Sequence, residues 1–215
     1  EAQNVIRPDL RIVVMSATLD ASALCRRLEA PHLHAEGRMF EVDIVHLDDF
    51  DSRDCASAVA SAVRKAHREQ EGDILAFLPG QSEIEKCAEL LGAALGTTRI
   101  LPLYGMLPPE SQRCVLTSDP AGYRRVVLAT PIAETSLTIE GITTVVDSGL
   151  CHKLVFDPSS GLSRLATVGI SLDMAVQRTG RAGRLCRGTC YRLWSKGAEH
   201  RMRDSREPEP RASCA

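Results

Sequence analysis

Short apolar runs alternate along this chain with stretches whose apolar residues recur at helical spacing. Arg11 to Met15 is a β-branched run and predicts a buried strand, after which Asp20 is placed to cap a helix carrying Leu24 and Leu28. Val42, Ile44 and Val45 sit among charges between Glu41 and Leu47, which predicts a strand or linker. The polar stretch Asp48-Asp49-Phe50-Asp51-Ser52 is the clearest break in the pattern and the best candidate for a domain boundary. Ala56, Val59, Ala60 and Val63 then fall on one face of a helix. Strands are predicted over Asp73 to Leu78, Arg99 to Leu103, Arg125 to Ala129, Thr143 to Val146 and Thr189 to Trp194. Between them, helices are predicted from Ser82 to Leu95, from Pro108-Pro109 through Val115, and from Ser171 onward. Strands separated by helices of this length imply a parallel sheet covered on both faces, an α/β fold. Such sheets bind ligands at the carboxyl ends of their strands, where the motifs below are expected.

One stretch departs from the alternation. Leu150 to Phe156 and Leu162 to Thr167 flank Asp157-Pro158-Ser159-Ser160-Gly161, which predicts a protruding β-hairpin. It is either a plain insertion or a wedge against a nucleic-acid strand.

Composition narrows the choice of partners. Net charge is -2 with a pI near 6.3, so this is not a globally basic nucleic-acid binder, and any such contact must be local. No apolar run is long enough to span a membrane. The eight cysteines are scattered without a CxxC and are expected to be reduced core thiols of a cytoplasmic protein. His32 and His34 alternate in an expected strand but lack a third ligand, so no metal site is assigned. The chain opens on Glu1-Ala2-Gln3-Asn4 without Met, which suggests a piece of a longer protein.

The segment richest in chemistry is Gln177-Arg178-Thr179-Gly180-Arg181-Ala182-Gly183-Arg184. Its three arginines recur every third residue and are expected to point roughly the same way. The two glycines would let the backbone approach a ligand. Guanidinium groups suit phosphate oxygens, and a carboxamide can orient a water. Phosphoryl transfer needs both, and the alternative is a basic turn that merely holds a phosphate backbone. A second segment, Ala129 to Gly141, carries hydroxyls at Thr130, Thr135, Ser136 and Thr138 next to a helix start, which makes a neutral phosphate-binding rim. Glu140 could accept from ribose hydroxyls. Ser16-Ala17-Thr18 follows the first predicted strand and is uninformative by itself. There is no G-x-x-x-x-G-K-[ST] loop and no acidic pair after a strand to hold Mg2+, so a triphosphate would need parts from elsewhere.

Taken together, these residues resemble the superfamily-2 DEAH-box helicases, most closely the bacterial HrpB-like branch. The resemblance runs through Ser16 to Thr18, Glu36-Gly37-Arg38, Leu78 to Gly80, Tyr104 to Leu107, Thr130 to Ser136, Val145 to Gly149, the 150–167 hairpin and Gln177 to Arg184. It implies a RecA-like parallel sheet with helices on both faces plus the hairpin. Residues 1–42 would be the end of a first RecA-like domain, 43–203 the second, and 204–215 the start of a truncated and disordered downstream region. Gln177 would position the lytic water, with Arg181 and Arg184 as arginine fingers. Arg178, Gly180, Thr138, Glu140 and Val115 would bind nucleotide. Thr130, Thr135 and Ser136 would hold the nucleic-acid backbone, and Ser16, Ala17 and Thr18 would couple the lobes. ATP, or another NTP, and Mg2+ would be bound mainly by the first lobe. The partners implied are that lobe and a single strand of RNA, or DNA, with no membrane. Two departures stand out: Pro131 replaces the family's Asn, and Val115 replaces a base-stacking aromatic, which predicts weak preference among nucleotides. The competing readings are a non-catalytic phosphate-backbone binding module and an unrelated α/β small-molecule enzyme.

Overall fold

The structure, a computed structural model, describes residues 9–11, 13–14, 21–33, 40–92, 94–134, 137–157 and 161–205. The chain forms two compact units, Glu1–Gly37 and Arg38–Ala215. The first contains helix α1, Ala21–Leu28, where a helix was expected; its cap candidate Asp20 lies outside the described residues. The strand expected at Arg11 to Met15 does not form over its described residues 11, 13 and 14, and Val13 is 79% exposed. A β-branched run becomes a strand only with a neighbour to complete its ladder, and none of the described residues pairs with it. Likewise residues 31–33 form no strand, and His34 lies outside the described residues.

The second unit is built on a six-stranded sheet with every pairing parallel. Its strands are β1 (Val42–His46), β2 (Asp73–Phe77), β3 (Arg99–Leu103), β4 (Arg125–Ala129), β5 (Ile142–Asp147) and β8 (Gly188–Arg192), in the order β1-β8-β5-β2-β4-β3. The polar break at 48–52 therefore separates two elements of one unit, since β1 before it pairs with β8.

Strand residues divide between two cores by simple alternation. Ile74, Ala76, Leu78, Val126, Leu128 and Val146 face α2 (Cys55–Glu69) and α3 (Gln81–Gly92). Along α2 the buried positions are Cys55, Ala56, Val59, Ala60, Ala62, Val63 and Ala66, a helical stripe of small side chains that lets the helix lie close to the sheet. Leu75, Phe77, Val127, Ala129, Val145 and Cys190 face the other way, toward α4 (Pro109–Leu116) and the crossover between β4 and β5. With α5 (Leu172–Thr179), this second layer holds the described residues that the sequence assigned to phosphate. A short helix α6, Lys196–Glu199, is the last element among the described residues.

The hairpin forms as expected. Strands β6 (Leu150–Asp157) and β7 (Leu162–Gly169) pair antiparallel from Leu150↔Gly169 to Asp157↔Leu162. Leu154 and Leu165 face each other across it, both exposed.

Candidate functional site

Two crossovers lie against the same face of the sheet. One leaves the carboxyl end of β4 at Thr130 and reaches the amino end of β5 near Gly141. The other starts at Ser171, runs through α5, and ends at the turn before β8. Both travel from the carboxyl to the amino edge of the sheet. Thr130 therefore sits at the carboxyl edge, whereas Thr138, Glu140 and Arg184 sit at the amino edge. The expectation that all the motifs gather at carboxyl ends is corrected for these residues. Segments leading into a parallel strand must end at its amino end, and only segments leaving it can sit at the other.

The arginine triplet is a ladder onto the first crossover. Arg178 bonds Glu134, with Nη2 and Nε 2.6 and 2.7 Å from Oε1. Arg181 Nη1 donates to the Leu137 carbonyl. Arg184 Nη1 donates to Thr138 Oγ1 at 3.1 Å. The step from Arg178 to Arg181 is matched by an equal step from Glu134 to Leu137, and that from Arg181 to Arg184 by the single step to Thr138.

The three side chains do not share one environment, contrary to the sequence expectation. Arg178 is 0% exposed and also bonds Asp147 Oδ1 at 2.7 Å, while its guanidinium lies 4.8 Å over the Phe77 ring. Burial opposes its charge, but the charges of Asp147 and Glu134 outweigh burial and hold its pKa above the usual arginine value. A nucleotide cannot reach it, so its assignment as a nucleotide ligand is corrected: it belongs to the interior because α5 packs with that face inward. Arg181 is 4% exposed, and burial together with the nearby charge of Arg184 lowers it to about 10. Arg184 is exposed. Gln177 is half-buried, and its carboxamide has no hydrogen-bond partner among the described residues.

The two glycines of the motif differ in their surroundings. Gly180 caps α5 in ordinary right-handed geometry, with φ -59°. Gly183 is approached by the chain itself: its carbonyl accepts from Phe40 N at 2.8 Å. A Cβ there would stand 2.5 Å from Phe40 O, so the close approach serves the start of β1.

Thr138 is exposed beside Arg184. Glu140 is exposed as well, and its Oε2 accepts from Ser118 N at 3.1 Å. Val115 is 3% exposed and packs in the second core. It offers no face to a base, which corrects its assignment and removes the residue on which the expected nucleotide preference rested. Thr130 is half-buried, with its amide bonded to Leu103 O at 3.1 Å. Pro131 opens a 3-10 turn, Pro131–Glu134, where a first-position amide needs no helical partner, so the missing donor is accommodated. Thr135 and Ser136, and Ser16, Ala17 and Thr18, lie outside the described residues.

Three important residues escaped the sequence reading. Glu134 and Asp147 stand in motifs quoted above, yet only the fold shows that they share Arg178. Arg125, at the start of β4, is the third. Its Nε donates to Asp73 Oδ2 at 2.8 Å, Nη1 to the carbonyls of Val115 and Thr117, and Nη2 to that of Glu140 at 2.5 Å. It fixes the approach to the amino edge from inside the protein. Among the described residues no group of His, Cys, Asp or Glu could hold a metal ion. No described helix is long and apolar enough to cross a membrane.

The second unit is thus a parallel α/β lobe with an arginine ladder at one sheet edge and a Thr-bearing strand-end turn at the other. The model of the helicase conserved C-terminal domain matches residues 56–186, and the chain belongs to that family. It is 43% identical over 211 residues to the ATP-dependent RNA helicase HrpB of Escherichia coli (strain K12), covering 97% of this chain and 26% of that protein. It is 42% identical to the pre-mRNA-splicing factor ATP-dependent RNA helicase prp22 of Schizosaccharomyces pombe, covering 89% of this chain and 17% of that one. The crystal structure of the Escherichia coli DEAH/RHA helicase HrpB superposes with a TM-score of 0.88 at 43% identity over 96% of this chain and 27% of that chain. The sheet is therefore the RecA-like lobe that the resemblance implied. The chain spans about a quarter, or less, of the relatives it matches.

Proposed function

We propose that this chain is the second motor lobe of an ATP-dependent helicase that acts on RNA. The observation that carries the reading is that Arg181 and Arg184 bond Leu137 and Thr138, in the segment that leads through Glu140 to the amino end of β5. Two cations, a hydroxyl and a carboxylate there match the phosphates and ribose of a nucleotide presented by another lobe. Mg2+ and the phosphate cradle would come from that lobe, because the described residues here supply cations and no cluster of His, Cys, Asp or Glu ligands. When bound, ATP supplies the phosphoryl group whose transfer to water drives the motor.

In this reading Arg184 leaves Thr138 Oγ1 to meet phosphate charge, and Arg181 adds a second cation from a drier position. The unpaired carboxamide of Gln177 holds the attacking water. At the opposite edge Thr130, with Thr135 and Ser136, holds the strand backbone, and the hairpin grips or parts strands. The choice of RNA follows the names of the two relatives.

The test is ATP turnover by a full-length protein carrying this lobe. Arg181→Ala should lower turnover by roughly 10³ while leaving nucleotide affinity within a few-fold. Equal losses in both would assign the arginines to binding and favour a non-catalytic backbone-binding module.

A further inference from the structure

We propose that Arg178, held between Glu134 and Asp147, is a positioning residue that ties the arginine turn to the root of the hairpin and so couples hydrolysis to strand separation. The inference rests on the functional reading above and goes beyond it by assigning the internal linkage between the two edges.

Four separate pieces of chain meet at this guanidinium. It projects from α5, the helix that carries Gln177 at its side and leads directly into Arg181 and Arg184. Nε and Nη2 hold Glu134, the last residue of the turn that follows Thr130. Nη1 holds Asp147, the last residue of β5. Both Nη1 and Nη2 lie 3.4 Å from the carbonyl of Leu150, the first residue of the hairpin. Asp147 Oδ1 also accepts from Gly149 N at 2.9 Å, so the same carboxylate fixes the turn into the hairpin. At the far end of the hairpin, Ile170 N donates to Gly149 O at 2.9 Å and brings the second strand back to the same point.

A displacement of the arginine turn toward a nucleotide must therefore be felt at Glu134, Asp147 and Leu150. The network can be re-seated as well as strained. Asp147 Oδ2 is buried with no hydrogen-bond partner, so the cluster holds one more acceptor than it uses. A planar fork between two carboxylates can shift between acceptors without leaving its charge unpaired, which is the property a two-position element needs. A lysine keeps the charge and loses the fork.

The experiment uses a full-length protein carrying this lobe and measures base pairs separated per ATP hydrolysed on a tailed RNA duplex. That ratio is insensitive to a loss of folded enzyme, because inactive molecules drop out of both terms. Arg178→Ala would leave two buried carboxylates without a cation, so the variants are Arg178→Lys and Glu134→Gln. Each should lower base pairs separated per ATP by about threefold to tenfold, a range typical for residues in a coupling network. Unchanged ratios in both variants, even with slower turnover, would overturn the coupling role while leaving the functional reading intact. A wild-type protein that hydrolyses ATP without separating strands would overturn both.

Discussion

Gly183 and Phe40 touch backbone to backbone: Phe40 N donates to Gly183 O at 2.8 Å, and a Cβ on Gly183 would meet Phe40 O at 2.5 Å. This contact seats the turn that carries Arg181 and Arg184 against the start of β1. Gly183→Ala should therefore destabilise the domain by about 1–3 kcal/mol, the usual cost of overpacking. Gly92→Ala, where nothing lies within 4 Å of the added carbon, should be neutral or slightly stabilising. Thermal denaturation of the two variants against wild type checks the pair.

The 215-residue chain alone should show no ATP turnover above background, since its arginines have no phosphate cradle to reach. A phosphate-release assay on the purified chain with ATP, Mg2+ and single-stranded RNA decides it. Robust hydrolysis would contradict the two-lobe arrangement.

The hairpin strands pair only with each other and join none of the parallel strands. Replacing residues 154–165 by an Asn-Gly turn keeps its root and removes its exposed apolar tip. In a full-length protein this should reduce strand separation by several-fold while changing RNA-stimulated turnover much less. Equal losses of both would argue against a role in parting strands.

Glu199 gives the domain an acid-sensitive contact. Burial would raise its carboxyl, but hydrogen bonds from Arg192, at 2.6 Å, and Trp194, at 2.9 Å, hold it below the usual range. The nearby charges of Arg192 and His46 act in the same direction. A carboxylate depressed in the folded state contributes stability above its unfolded value, and that contribution is lost as pH falls through the folded one. Glu199→Gln should cost about 1–3 kcal/mol at neutral pH. The gap in melting temperature between variant and wild type should close on acidification below the ordinary glutamate range. A gap independent of pH would show that packing, not charge, is at stake.

Much of this architecture was legible in the order of residues. Periodicity alone placed β2, β3, β4, the helices between them and the hairpin, because a two-residue or 3.6-residue repeat needs no distant partner to be recognised. The motif around Gln177 to Arg184 was read as phosphate-directed because guanidinium groups suit phosphate oxygens. The strand expected at 11–15 failed for the opposite reason: a β-branched run says what a segment would bury, not what will lie beside it.

The direction each arginine takes was decided by packing. A spacing of three residues suggested one shared face, but α5 turns Arg178 inward to Glu134 and Asp147 and leaves Arg184 in solvent. Val115 looked like a surface contact for a base and is core, because α4 presents that side to the sheet. The sequence by itself determined which chemical groups this lobe carries and the elements that bear them. Only the tertiary structure decided which of them meet, since pairs such as Arg178 with Asp147, or Phe40 with Gly183, are joined by long loops of chain whose closure no local pattern records.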